Sequence, residues 1–288
     1  KEGGYIYTTS DYGRNWTQHR TFWDGSSMQK KWNNAVISAD GRTIVAVSFD
    51  GYVCRGTSDG TAWRWANLGT PGLDNCSGLC GDSKLSVIAA IRGTLSSTSN
   101  QPILISKDKG KTWTQKAGGF GNAWTGVACS SEGKYLAAVL VNGSTDSTTK
   151  NIYYSTDAGE TWSACGTSGL PSDTTCTHLA LADNGEIFYC YGIGVWRASA
   201  MANTSWTEIT LSGYDNFDEI HTDATGNMIS LIARKSTVGQ YCVLSSINGG
   251  EAFSENVASD YTYLGASPDG LVIYAARNQP SNEIVVVQ

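Results

Sequence analysis

The stretches that decide the fold are Ser106-Lys107-Asp108-Lys109-Gly110-Lys111-Thr112-Trp113 and Ser155-Thr156-Asp157-Ala158-Gly159-Glu160-Thr161-Trp162. Both read S-x-D-x-G-x-x-W, and Thr9, Asp11, Gly13 and Trp16 repeat the frame with Thr in the Ser place. Weaker copies fill the intervals. Ser246, Asn248, Gly250 and Phe253 keep the frame with Asn for Asp; Ser58, Asp59, Gly60 and Trp63 are one residue short; Ser199 and Trp206 keep only the outer positions. Taken at the Asp position, the copies fall at 11, 59, 108, 157, 201 and 248, in steps of 48, 49, 49, 44 and 47. A fixed period of this length means stacked supersecondary units, a solenoid or a propeller.

A second repeat runs in register with the first. Seven-residue segments begin at Trp32 (WNNAVIS), Cys76 (CSGLCGD), Trp124 (WTGVACS), Cys176 (CTHLALA), Phe217 (FDEIHTD) and Tyr261 (YTYLGAS). Their fourth residues, Ala35, Leu79, Val127, Leu179, Ile220 and Leu264, are all apolar, and pairs such as Asp40-Gly41, Glu132-Gly133, Asn184-Gly185 and Asp269-Gly270 follow most of them. Apolar strands joined by such pairs are hairpins. A second apolar run follows each turn, then a strand entering the Asp motif, then one beginning at its aromatic residue. Each unit therefore reads as a four-stranded antiparallel meander, the pattern of a propeller blade.

The spacing predicts one all-β domain over 1–288, a six-bladed propeller whose last blade is closed by the N-terminal strands from Tyr5. One conflict is visible: Glu283 to Val287 and Tyr5 to Thr8 both read as third strands of that blade, which gives it a surplus strand able to meet another copy. The chain opens on Lys1 rather than Met, which reads as a processed or trimmed chain.

The two repeats resemble the Asp-box, or BNR-repeat, propellers, a group that includes sialidases, sortilin-type receptors and xyloglucan-cleaving glycosidases. The resemblance implies that the box is a folding device at the turn between third and fourth strands, on the rim away from the ligand site. Its members here are Asp11, Gly13, Trp16, Asp59, Trp63, Asp108, Gly110, Trp113, Asp157, Gly159, Trp162, Asn248, Gly250 and Phe253. Ser and Asp side chains can bond turn amides, Gly admits a positive φ, and the aromatic ring anchors the turn in its blade.

Composition points to an extracellular protein. Charged residues make up 16% and the net charge is −6, against 33 Gly, 10 Trp and 14 Tyr. The acidic balance argues against nucleic acid or an anionic membrane surface as partner, and no run approaches a bilayer span. Eight cysteines fit disulfides in an oxidising compartment, with Cys165 and Cys176 flanking a Gly/Ser/Pro loop as the candidate pair. Sequons at Asn15, Asn75, Asn142 and Asn203 allow glycosylation. Cys76 and Cys80 lack a second ligand pair at zinc-like spacing, so neither a metal nor any other cofactor is expected.

Ligand-binding candidates are the residues expected around the channel mouth. The longest linker, Thr17 to Lys31, carries His19, Arg20, Phe22, Trp23 and Asp24; inner-strand starts add Trp32, Trp124, Phe217 and Tyr261, with His178, Asp218 and Glu219 close behind. Arg92, Arg234 and Arg277 end three second strands. Aromatics, carboxylates and arginines in one mouth suit a carbohydrate or an acidic sugar. The resemblance also raises a sialidase-like glycoside hydrolase using these arginines and carboxylates as the alternative. Sialidases carry an Arg-Ile-Pro element and a Tyr nucleophile with a Glu partner; the element is missing here and no such pair is identifiable, so no catalytic residue is assigned. The expectation is a secreted or cell-surface binding or assembly module for glycan or protein, or a structural subunit.

Overall fold

The computed structural model describes residues 4–11, 13–93, 101–116, 124–140, 152–166, 168–170, 178–191, 194–199, 205–258, 263–266, 273–276 and 284–287. Among them there is no helix, and so none long and apolar enough to cross a membrane. The strands form antiparallel sheets in sequence order. Sheet A pairs Trp32–Ile37, Thr43–Ser48, Val53–Ser58 and Trp63–Asn67; sheet B pairs Cys76–Gly81, Ile88–Arg92, Ile103–Ser106 and Thr114–Lys116. Sheet C contains Trp124–Cys129, Leu136–Leu140, Ile152–Ser155 and Ser163–Ala164; sheet D contains His178–Leu181, Ile187–Tyr191, Gly194–Ala198 and Trp206–Ile209. Sheet E pairs Tyr214–Thr222, Ile229–Lys235, Tyr241–Ser246 and Ser254–Ala258, and sheet F pairs Tyr263–Ala266, Ile273–Ala276 and Ile284–Val287.

First strands of successive sheets pack on one another, A on B through E on F, so they form the inner layer and the fourth strands lie outermost. Second strands explain the stacking. In Thr43–Ser48 every residue is buried, but Ile44 and Ala46 enter one core cluster while Val45 and Val47 enter another. The same split divides Ile88 and Ala90 from Ala89 and Ile91, and Leu136 and Ala138 from Ala137 and Val139. A strand apolar on both faces needs a neighbour on each side, which a propeller provides.

Turns between first and second strands set the register between sheets. In four of the six segments the side chain of the seventh residue caps its own turn. Ser38 Oγ accepts from Thr43 N at 2.9 Å, Asp82 Oδ1 from Val87 N at 2.9 Å, Ser130 Oγ from Tyr135 N at 3.0 Å and Asp223 Oδ1 from Met228 N at 3.0 Å. The residue that follows the segment reaches the next sheet. Ala39 N donates to Ser83 O, Ser83 N to Ser131 O and Asp183 N to Ala224 O, each at 2.8 Å. Ser131 N closes the sequence by donating to Asp183 Oδ1 at 2.6 Å.

The Asp boxes form the second set of joints. In the box of sheet C, Ser155 Oγ donates to Asp157 Oδ1 at 2.7 Å and accepts from Gly159 N at 2.9 Å, while Asp157 takes Thr161 N at 2.9 Å and Thr161 Oγ1 at 2.6 Å. Trp162 Nε1 donates to Gly159 O at 3.1 Å. The boxes at Thr9 and Ser106 repeat this network, and Asn248 reproduces the Oδ1 half of it. Asp59, in the short copy, takes Thr61 N and Ala62 N. The aromatic residue also reaches beyond its own sheet: Trp113, Trp162 and Phe253 pack into the clusters shared with the preceding sheet. Gly159 shows why Gly is required. Its φ is +81°, and a β-carbon there would lie 2.7 Å from Ile105 Cδ1 of sheet B.

The two candidate third strands take separate places. Ile284–Val287 takes the third place in sheet F, beside Ile273–Ala276. Among the described residues Ile6–Thr8 pairs only with Thr17–His19, as a separate two-stranded hairpin. With the free edge of the second strand in sheet F filled by Ile284–Val287, no ladder joins the N-terminal strands to that sheet among the described residues. The hairpin instead covers sheet A, where Tyr5 and Ile6 pack on the cluster of Phe22, Met28, Ile44 and Trp65. Five four-stranded sheets, one of three strands, this hairpin and a short pairing of Asp50–Gly51 with Leu73–Asp74 are described, and this count leaves the number of blades open.

Two outcomes follow for the boxes. Gly159→Ala combines left-handed strain with a clash against sheet B and is expected to cost about 3 kcal/mol. Gly13→Ala, whose new β-carbon would meet only Trp16 at 3.8 Å, is expected to cost about 1 kcal/mol; equal urea midpoints would contradict the inter-sheet role. Burial works against ionisation of Asp157, but hydrogen bonds from Thr161 and Ser155 outweigh it and hold its pKa down at about 2, from 3.8. A depressed carboxyl pKa stabilises the fold above the unfolded value, and this is lost as pH falls through the folded one. Asp157→Asn is therefore expected to flatten the loss of stability between those two pH values in acid unfolding curves.

Candidate functional site

The channel-side candidates are brought together, and they bind one another. His178 opens the inner strand of sheet D, with Nδ1 3.1 Å from Asp218 Oδ1 of sheet E. The inner strand of sheet E is bulged between Asp215 and Phe217 and again between Asp218 and Ile220. The extra residues, Asn216 at φ 50° and Glu219 at φ 36°, sit in the left-handed region. Such bulges re-aim a side chain. Glu219 uses the second one to accept Leu264 N of sheet F, while His221 Nε2 contacts Leu264 O at 3.1 Å. Both polar backbone groups of Leu264 are thus clamped from the neighbouring sheet. His221 was not singled out by the sequence; its signal was only a place two residues beyond a predicted carboxylate.

Burial dominates the electrostatics here. It pushes the Glu219 carboxyl up to about 7, opposed by the Leu264 amide and aided by Asp218. Burial lowers the His178 pKa against the pull of Asp218, and lowers that of His221. No group of three or more metal-ligating side chains occurs among the described residues.

The arginines are committed locally. Arg92 Nη2 lies 3.0 Å from Asp74 Oδ2, and Arg234 Nε 2.7 Å from Asp215 Oδ1. Arg277 and Tyr261 lie outside the described residues. Trp124 is completely buried against Tyr153, with Nε1 bonded to Gln101 O at 2.7 Å, so it presents no surface to the mouth. Trp32 is half-buried and donates from Nε1 to Met28 O at 3.0 Å. Asn15 gives its Nδ2 to Asp11 Oδ2 at 2.6 Å, which ties up the atom a glycan would need. Asn75 sits at φ 58° directly before the inner strand of sheet B. Asn142, Asn203 and Cys176 lie outside the described residues, and Cys165 is buried.

Trp23 is elsewhere. The linker after the N-terminal hairpin runs along the outermost strand of sheet A, where Trp23 N donates to Trp65 O at 2.8 Å. Trp23 is 77% exposed, and its ring carries the Arg64 guanidinium 5.2 Å from the centroid. Beside it lies an aromatic floor: Trp63 stacks on Trp65 at 5.6 Å, and His19 meets Trp65 at 5.1 Å. Gln18, His19, Arg20, Phe22, Trp23 and Arg64 line the resulting open groove. Arg20 and Arg64 are exposed and form no ion pair among the described residues. Trp65 Nε1 is buried beneath the groove with no hydrogen-bond partner among the described residues. The single mouth expected from sequence therefore divides into a clamped inner cluster and an outer-edge groove, because the linker follows a strand edge instead of turning toward the channel.

Comparisons with known proteins agree with this architecture. Residues 153–164 match the BNR/Asp-box repeat family. No curated protein sequence is significantly similar to the chain. Among solved structures, YCF48 bound to D1 peptide superposes with a TM-score of 0.61 at 19% identity, over 95% of this chain and 84% of that one. A TolB protein from Agrobacterium tumefaciens gives 0.59 at 15%, over 85% and 89%. A chain of a nidogen/laminin complex gives 0.55 at 12%, over 79% and 82%. The chain is a β-propeller carrying Asp-box repeats. At these identities the likeness extends to the fold alone.

The inner cluster gives a direct test. A carboxyl whose folded pKa lies above its unfolded one contributes stability below the unfolded value, 4.5 here, and loses it as pH rises through about 7. Carboxyl NMR is expected to show Glu219 titrating near neutrality, and Glu219→Gln to flatten stability across that window. Titration at the ordinary carboxyl value would contradict the burial described.

Proposed function

We propose that the protein is a non-catalytic, extracellular binding module that holds an acidic glycan in the Trp23 groove. One observation carries the reading: Trp23 stands 77% exposed at a place where its backbone is pinned to Trp65 and its ring to Arg64. An exposed aromatic plane held in one position presents its face to the CH edges of a pyranose at little entropic cost. Arg64 and Arg20 beside it supply planar donors for a carboxylate or sulfate. In a chain of net charge −6, two exposed arginines on an aromatic floor are a local exception to the overall field. Protein recognition is the other form of this reading, and YCF48 and the nidogen/laminin complex are propellers whose structures include a peptide or protein partner.

Hydrolysis of sialosides is the weaker alternative. Arg92 and Arg234 are each held by a nearby aspartate rather than aimed together at a substrate carboxylate. A fluorogenic sialoside is expected to remain uncleaved; turnover that vanishes in Arg234→Ala would overturn this. For binding, an array of neutral and uronate-containing oligosaccharides is expected to retain the protein on acidic members, more weakly at high salt. Trp23→Ala should lower affinity at least about tenfold, and Arg64→Ala should remove the preference for acidic over neutral chains. An array with no retained glycan, or binding unchanged by Trp23→Ala, would replace the glycan reading with protein recognition.

A further inference from the structure

The inner strands of sheets B and C run side by side, and hydrogen bonds fix their placement at both ends. Ser77 Oγ donates to Trp124 O at 3.0 Å, and Ser83 N to Ser131 O at 2.8 Å. Between these ties, a β-carbon built on Gly78 would lie 3.4 Å from Val127 Cγ1, so positions 78 and 127 face each other. Two residues further along each strand, on the same face, stand Cys80 and Cys129. Both are half-buried thiols packed on the cluster that joins sheets B and C, and their side chains are hydrogen-bonded to each other.

The same slot exists at neighbouring interfaces, filled differently. It pairs the fifth residue of one seven-residue segment with the sixth of the next. Between sheets A and B it holds Val36 and Gly81, with Val36 Cγ2 3.6 Å from where a Gly81 β-carbon would be. Between C and D it holds Ala128 and Leu181, both buried in the shared core. A slot that elsewhere takes apolar packing takes two sulfur atoms here.

We propose that Cys80 and Cys129 form a disulfide that staples sheet B to sheet C. The oxidant is a low-molecular-weight disulfide such as glutathione disulfide. One cysteine thiolate attacks a sulfur of that molecule and releases one thiol; the second thiolate attacks the mixed disulfide and releases the other. Two protein thiols thereby lose two protons and two electrons as the S–S bond forms, and the oxidant is reduced to two thiols. The folded protein slows this exchange. Hydrogen bonding to Cys80, then burial, then the carboxylates of Asp82 and Asp183 keep the Cys129 thiol well above its ordinary pKa, so thiolate is scarce once the sheets are packed. Closure therefore belongs to folding, when the strands are meeting and the thiols are still wet.

The test is refolding of the reduced, denatured full chain in a glutathione redox buffer, followed by iodoacetamide and peptide mapping without reduction. The expected product is a cross-linked pair of peptides containing Cys80 and Cys129, lighter by two hydrogens than the two thiol peptides together. It should be absent from Cys80→Ala, a substitution that copies Ala128, the residue in the same place at the next interface. Oxidised wild type should melt several degrees above its reduced form, and Cys80→Ala should show no such gap assignable to this pair. Recovery of both cysteines as alkylated thiols in refolded wild type, or of either linked to a different cysteine, would overturn the proposal.

Discussion

Strands such as Thr43–Ser48 and Leu136–Leu140 are buried on both faces, and each face belongs to a different core cluster. No single sheet can satisfy such a strand, so every sheet needs a partner on either side. Burial of apolar area supplies the driving force but is indifferent to sliding. The turns remove that freedom. Backbone donors in successive first turns reach the next sheet, while Gly110, Gly159 and Gly250 of the Asp boxes rest against the previous one. Packing and register thus come from different residues, and both recur from sheet to sheet.

This division explains what could be read from the chain. The Asp-box spacing and the seven-residue segments were visible because each is local: Ser155, Asp157, Gly159 and Trp162 bond within one turn. Strand order followed from their repetition. The joints between sheets were not visible, since Gly159 meets Ile105 and Ser83 meets Ser131 about one repeat away, and nothing within a single turn announces the contact. The place of Ile284–Val287 was ambiguous for a related reason. Two strands carried the same third-strand pattern, and only the pairing of the second strand decides between them.

The candidate site was legible in its residue types and not in its arrangement. His178 and Asp218 do meet, and Glu219 is buried as a carboxylate near a strand start can be. Their partners come from the bulges in sheet E, whose positions depend on ladder register with Ile229–Lys235 rather than on composition. Trp23 was legible as an unusual linker residue. Its location at the outer edge of sheet A follows from a hydrogen bond to Trp65 that no sequence pattern encodes. The inner layer is consequently spent on joining sheets D, E and F, and the exposed chemistry lies at the outer edge beside the N-terminal hairpin.

The central claim is that exposed-looking turns hold the sheets in register. Native-state hydrogen exchange of the Ala39, Ser83, Ser131 and Asp183 amides tests it most directly. If these amides join neighbouring sheets, they should exchange as slowly as the buried second strands and be released together with them. Exchange at the rate of free turns, while Val45, Ala89 and Ala137 remain protected, would show that the sheets are held by core packing alone and would contradict the account.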